Sequence, residues 1–179
     1  MREDLKEVLF SEEVLRKKVK ELASQISSDY AGKELVVVGI LKGSVVFTAE
    51  LIKNIDIYCE LDFMAVSSYG NSTETSGVVR ILKDLDSSIE GKHILIVEDI
   101  VDTGTTLNYL LKYLKARKAA SIEIVALLNK PARRKVELPV KYIGFEVPDE
   151  FIVGYGIDYA EKYRNLPCIG ILKPEIYQK

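Results

Sequence analysis

The sequence predicts an α/β fold: a mainly parallel central sheet flanked by helices. Three observations predict it. Near-continuous apolar runs recur, ELVVVGIL at 34–41, HILIV at 93–97 and IEIVALL at 122–128, the pattern of strands covered on both faces. Stretches with apolar residues at helical spacing separate them, as crossover connections require. The length, 179 residues, suits one domain with a substantial core.

Composition excludes several classes. The chain is 47% hydrophobic and 29% charged, which rules out disorder and low-complexity architectures. Its net charge of −2 advertises no nucleic-acid partner. His93 is the one histidine and Cys59 and Cys168 the two cysteines. That leaves no paired-histidine motif, four-thiolate zinc site or disulfide framework. The start MREDLKEVLF holds no apolar signal core, and no run approaches 18 apolar residues. The expectation is a cytoplasmic protein with no membrane partner.

In chain order, residues 11–27 read as a helix, with Ser11 as N-cap and Leu15, Val19, Leu22 and Ile26 on one face. The strand at 34–41 breaks at Lys42-Gly43-Ser44, and a helix follows with Val45, Ala49 and Ile52 at helical spacing. Residues 56–66 alternate as a strand with a wetter side. Residues 67–77 carry no core-forming periodicity and read as a long mobile loop. Strand character resumes at 78–82 and again at 93–97. Leu107, Leu110, Leu111 and Leu114 then mark an amphipathic helix, and further strands fall at 122–128, 142–147 and 168–172. No repeat or linker divides the chain, so 1–179 is one domain, with the first 30 and last 40 residues forming a small lobe beside the sheet.

The strongest chemical signal is ILIVEDIVDTGTT at 94–106. Glu98, Asp99 and Asp102 sit where a buried strand ends, and unpaired buried carboxylates are costly, so they should face a cleft or a cation. Thr103-Gly104-Thr105-Thr106 opens a helix, where hydroxyls and free N–H groups make a phosphate cradle. Acids beside an anion cradle make sense if they hold sugar hydroxyls, or a metal, while the turn holds a phosphate. The plainer reading is a helix capped by Asp102 and Thr103 with solvated acids around it. Neither a Walker A loop nor a dinucleotide fingerprint is present.

This string resembles the phosphoribosyl-pyrophosphate (PRPP) loop of type I phosphoribosyltransferases. From the first buried strand to LKPEIY at 172–177, the chain is similar to the bacterial hypoxanthine-guanine branch of that family. The resemblance implies the type I phosphoribosyltransferase fold, with a hood lobe built from the N- and C-terminal segments. It implies transfer of the phosphoribosyl group from PRPP to hypoxanthine or guanine, with Mg²⁺ as cofactor and a homodimer or homotetramer as assembly. Glu98 and Asp99 would hold the ribose hydroxyls, directly or through Mg²⁺. Asp102 would be the general base/acid, and Thr103, Gly104, Thr105 and Thr106 would receive the 5′-phosphate.

Leu41, Lys42 and Gly43 correspond to the family's pyrophosphate loop, often built on a non-proline cis peptide before the lysine. Arg164 corresponds to a further pyrophosphate contact, and Asp158 to a direct Mg²⁺ ligand. Ser68-Tyr69 fall in the loop that closes over the reacting centre, where a glycosyl cation must be shielded from water. Lys130 resembles the donor to the purine 6-oxo group, Phe151 the stacking ring and Ile152 the backbone reader of the other purine edge. Taken singly, each has a plain structural reading: a turn lysine, a core ring, a surface pair. A phosphoribosyltransferase for xanthine or another base is the alternative enzyme; a non-catalytic PRPP sensor is the alternative of another class.

Overall fold

The computed structural model describes residues 1–68 and 79–178. Its main sheet has six strands. They are β2 (Leu35–Leu41), β3 (Cys59–Ser68), β4 (Val79–Lys83), β5 (His93–Val101), β6 (Ser121–Asn129) and β7 (Tyr142–Glu146). The order is β4-β3-β2-β5-β6-β7; every pairing is parallel except β3 with β4.

Alternation along the buried strands explains the two cores. Leu35, Val37, Leu95, Val97, Val125 and Leu127 face helices α1 (Glu12–Asp29) and α2 (Val45–Asn54). Val36, Val38, Ile94, Ile96, Ile124 and Ala126 face α3 (Thr105–Lys115), through Leu107, Leu110, Leu111 and Leu114. With both faces covered, neither set of alternating positions can be polar, which produces the continuous apolar runs. Ser11 caps α1 as expected, its Oγ accepting the Val14 N–H at 3.3 Å.

The hood lobe is a separate antiparallel sheet, β1 (Leu5–Phe10), β9 (Ile169–Leu172) and β8 (Ile152–Val153), in that order. It has its own small core of Leu5, Val153, Tyr163, Leu166, Cys168 and Leu172. A last short helix, α4 (Pro174–Tyr177), follows β9.

Three expectations need correction. The lobe does not take the first 30 residues, because the apolar stripe of α1 packs into the main core; only β1 belongs to the hood. In α2 the buried residues are Phe47, Thr48 and Leu51, whereas Val45 is 40% exposed. The inward face is centred on the ring at Phe47 and on Leu51, so it is rotated away from the set Val45, Ala49 and Ile52. The loop expected from residue 67 starts later, since Ser67 and Ser68 still pair with β4; Tyr69 and the rest of that segment to residue 77 lie outside the described residues. Among the described residues, no helix is long and apolar enough to cross a membrane.

Candidate active site

The strand order reverses direction between β2 and β5: the chain winds outward through β3 on one side and through β6 on the other. Such a switch point opens a crevice beyond the carboxyl ends of the strands. The opening is visible in the register. Pairing of β2 with β5 ends at Gly39 and Val97, while β5 continues along β6 to Val101 and Asn129. Glu98 and Asp99 therefore lie just past the point where β2 leaves its neighbour.

The loop Asp102–Gly104 turns the chain from β5 into α3. Gly104 stands at φ 79° as the helix N-cap, and the Thr103 hydroxyl accepts the Thr105 N–H at 3.4 Å. The plainer reading therefore holds for Thr103, whose hydroxyl caps the turn, and not for Asp102, whose side chain takes no part in the cap. Left-handed backbone at this residue favours glycine, and the Cα also sits against neighbours: a Cβ there would lie 3.2 Å from both Arg134 Cδ and Val136 Cγ2. The N–H groups left free at the start of this eleven-residue helix, beside the hydroxyls of Thr103, Thr105 and Thr106, form an anion cradle.

The floor of this loop comes from the segment after β6. Arg134 Nε donates to the Asp102 carbonyl at 3.1 Å, and its Nη2 donates to Asn129 Oδ1. The Lys135 N–H donates to the Thr103 carbonyl at 3.0 Å. Arg133 Nε lies 3.4 Å from Asp102 Oδ1, which accepts no hydrogen bond. That oxygen is enclosed and faces the Arg133 guanidinium, while the residue as a whole borders a cleft shared with Lys130 and Phe151, where an aspartate held by its backbone can serve as a general base.

On the other side of the crevice, the Leu41–Lys42 peptide is cis. Gly43 packs against Asp99 on one side, and Gly156, at φ 100°, packs against the Gly43 carbonyl. Arg164 is fixed by its Nη1 donating to the Gly156 carbonyl at 2.8 Å and by Nη2 pairing with Asp158 Oδ1 at 2.8 Å. Lys42 pairs with Glu161 at 3.0 Å, and Arg164 reaches the same carboxylate at 3.4 Å. Both basic residues assigned to pyrophosphate thus converge on one acid, as they would on an anionic ligand.

The third element is a cleft of about 370 Å³ bordered by Asp102, Lys130, Phe151, Ile152, Ile157 and Asp158. Lys130 is 5% exposed, and its ammonium donates to the Glu150 carbonyl at 2.9 Å. Phe151, by contrast, is 36% exposed at the edge of the hood sheet. A flat ring and an ammonium donor on the walls of one cleft suit a planar heterocycle with a carbonyl.

Electrostatics concentrate at the strand end. Burial, then the neighbouring Asp99 charge, push Glu98 well above the usual carboxylate range. Burial raises Asp99 to about 6; the Ile100 N–H and the Arg164 charge oppose the rise, and Asp158 adds to it. Two acids that resist ionisation together, in a crevice, mark a place where positive charge is welcome.

The phosphoribosyl transferase domain model matches residues 9–160. The chain belongs to the phosphoribosyl transferase domain family. It is 57% identical over 178 residues to the hypoxanthine-guanine phosphoribosyltransferase of Bacillus subtilis (strain 168), covering 99% of each protein. It is 58% identical over 177 residues to that of Staphylococcus aureus (strain COL), again covering 99% of each. Among solved structures, a hypoxanthine phosphoribosyltransferase from Staphylococcus aureus superimposes with a TM-score of 0.98 at 57% identity, covering 100% of this chain and 97% of that one.

Within this phosphoribosyl transferase fold, the residues singled out in sequence gather at one crevice, with two exceptions. Tyr69 lies outside the described residues, and Ser68 is placed only as the end of β3. Glu98, Asp99 and Asp158 do not converge as a closed ligand set, and no group of three metal-binding side chains occurs among the described residues. All three are hard carboxylate donors, the type Mg²⁺ takes one or two at a time beside phosphate oxygens and water, so the donor chemistry fits that ion. Sequence reasoning missed Arg133, Arg134, Asp149 and Tyr177. The first two carry a signal, the basic pair in KPARRK directly after a buried strand; the others become neighbours of the cleft only through folding.

Proposed function

We propose that this chain transfers the 5-phosphoribosyl group from PRPP to hypoxanthine or guanine, giving IMP or GMP and pyrophosphate. The observation that carries the reading is one cleft bordered by the Asp102 carboxylate, the Lys130 ammonium and the Phe151 ring. The family membership and the hypoxanthine-guanine relatives support the same activity.

In this reading the first turn of α3 and its threonines hold the 5′-phosphate. Glu98 and Asp99 hold the ribose hydroxyls. Lys42 and Arg164 exchange Glu161 for the pyrophosphate oxygens. Phe151 stacks on the base, the Ile152 backbone reads its far edge, and Lys130 donates to the 6-oxo group. Adenine would set a donor amine against that ammonium and be rejected. As the glycosidic carbon–oxygen bond to pyrophosphate breaks, positive charge develops on the ribose, next to the acids of the strand end. The purine nitrogen forms the new bond to that carbon, and Asp102 takes the proton the nitrogen loses. Ser68 and Tyr69 belong to the segment assigned to exclude water. Asp158 would hold Mg²⁺ directly, and Glu98 and Asp99 would reach it through water or the ribose hydroxyls; the ion would neutralise the leaving pyrophosphate. We assign the protein to the cytoplasm, on its two unpaired thiols, and to a homodimer or homotetramer, on the family resemblance.

The test is product formation from PRPP and Mg²⁺ with hypoxanthine, guanine, xanthine or adenine in separate reactions, followed by chromatography. IMP and GMP are the expected products, with no AMP. Activity on adenine alone, or on no purine, would contradict the reading.

A further inference from the structure

Phe151 does not stand alone at the cleft edge. The Tyr177 ring stacks on it with centroids 4.7 Å apart and planes 24° apart, and Tyr159 meets it edge-on at 5.2 Å and 88°. Both tyrosines also pack against the core of the hood lobe, and Tyr177 borders the cleft. Tyr177 is brought there by the end of the chain. The Leu172 N–H donates to the Phe151 carbonyl at 2.8 Å, and Pro174 starts the short α4, which folds Tyr177 back over Phe151.

We propose that Tyr177 is a positioning residue for the purine: it backs the face of Phe151 turned to the hood and so fixes the ring whose other face receives the base. The geometry favours this over plain core packing. Tyr177 is only partly buried, and its ring lies nearly parallel to Phe151, the offset arrangement by which aromatic pairs gain beyond area burial. An unsupported phenyl ring at a cleft edge would have to be ordered when the base binds, at a cost in affinity.

The inference rests on Phe151 being the base-stacking residue. Steady-state kinetics of wild type, Y177A, Y177L and Y177F, with hypoxanthine and PRPP varied in turn, test it. Y177A and Y177L are expected to raise the hypoxanthine KM roughly 2- to 12-fold, leaving the PRPP KM and kcat near wild type. Y177F is expected to match wild type, because the stacking face is kept. The proposal is overturned by an equal rise in both KM values, by an unchanged hypoxanthine KM in Y177L, or by a Y177F value like that of Y177L. The leucine–phenylalanine comparison decides the matter even if Y177A does not fold. A wild-type protein inactive on every purine defeats the functional reading; an active wild type with an indifferent Y177L defeats this inference alone.

Discussion

The carboxylate of Asp99 rests directly on the Cα of Gly43: a Cβ added to Gly43 would lie 1.8 Å from Asp99 Oδ2. The end of β5 and the loop after β2 are thus in contact across the crevice, with no room between them for a side chain. Gly156 packs on the opposite side of the same loop and accepts from Arg164. The residues assigned to ribose and to pyrophosphate form one continuous wall.

Replacing Gly43 with alanine must therefore move Asp99 or the Lys42 loop. Misplacing a positioning group by about 1 Å can cost on the order of 10²-fold in rate. G43A is expected to lower kcat/KM for PRPP by about that factor while the fold is retained, as read by steady-state kinetics beside circular dichroism. A wild-type PRPP dependence would show that this contact has no part in catalysis.

Arg134 holds the Asp102 carbonyl and the side chain of Asn129, which is 7% exposed. R134A leaves both without that donor, and an unsatisfied buried polar group costs about 1–3 kcal/mol. Urea unfolding should report a loss of that size, and calorimetry should report weaker PRPP binding. A variant as stable as wild type, with unchanged PRPP affinity, would remove Arg134 from the support of the loop.

Asp99 makes the ligand-free protein sensitive to pH. Burial raises its carboxyl from an ordinary 3.8 to about 6. Between those values the folded chain binds more protons at this site than the unfolded chain, so its contribution to stability falls as pH rises and levels off above about 6. D99N carries no such charge. The difference in unfolding free energy, wild type minus D99N, is expected to become more unfavourable to wild type as pH rises from about 4 through about 6, and to keep falling above that as Glu98, which the Asp99 charge raises further, ionises. A difference that does not change with pH would contradict the assignment of the raised carboxyl to Asp99.

Much of the main sheet is legible in the sequence, because β2, β5 and β6 are covered on both faces and their apolar runs can hardly be anything else. The hood is less so. β1 reads LKEVLF, charged and apolar mixed, and its partner β9 lies more than 150 residues further along the chain. Neither its pairing nor the two-residue β8 leaves a local pattern. At the site, the 94–106 string stands out because three acids at the end of a buried strand, beside a turn built to attract an anion, make no sense for a plain phosphate site. Lys130, Phe151 and Asp158 carry no such local oddity; a family resemblance points to them, and only folding puts them around one cleft. The contact of Asp99 with Gly43 and the backing of Phe151 by Tyr177 depend on three-dimensional proximity and have no sequence signature.

The central claim is that Asp102, bordering the cleft with Lys130 and Phe151, takes the purine proton. Comparing D102N with wild type tests it most directly, with kcat measured for IMP formation and the PRPP Kd measured by calorimetry. Loss of the general base should lower kcat by roughly 10²–10⁴-fold, with a PRPP Kd close to wild type. Equal kcat in the two proteins, or a loss of activity explained entirely by weaker PRPP binding, would contradict the account.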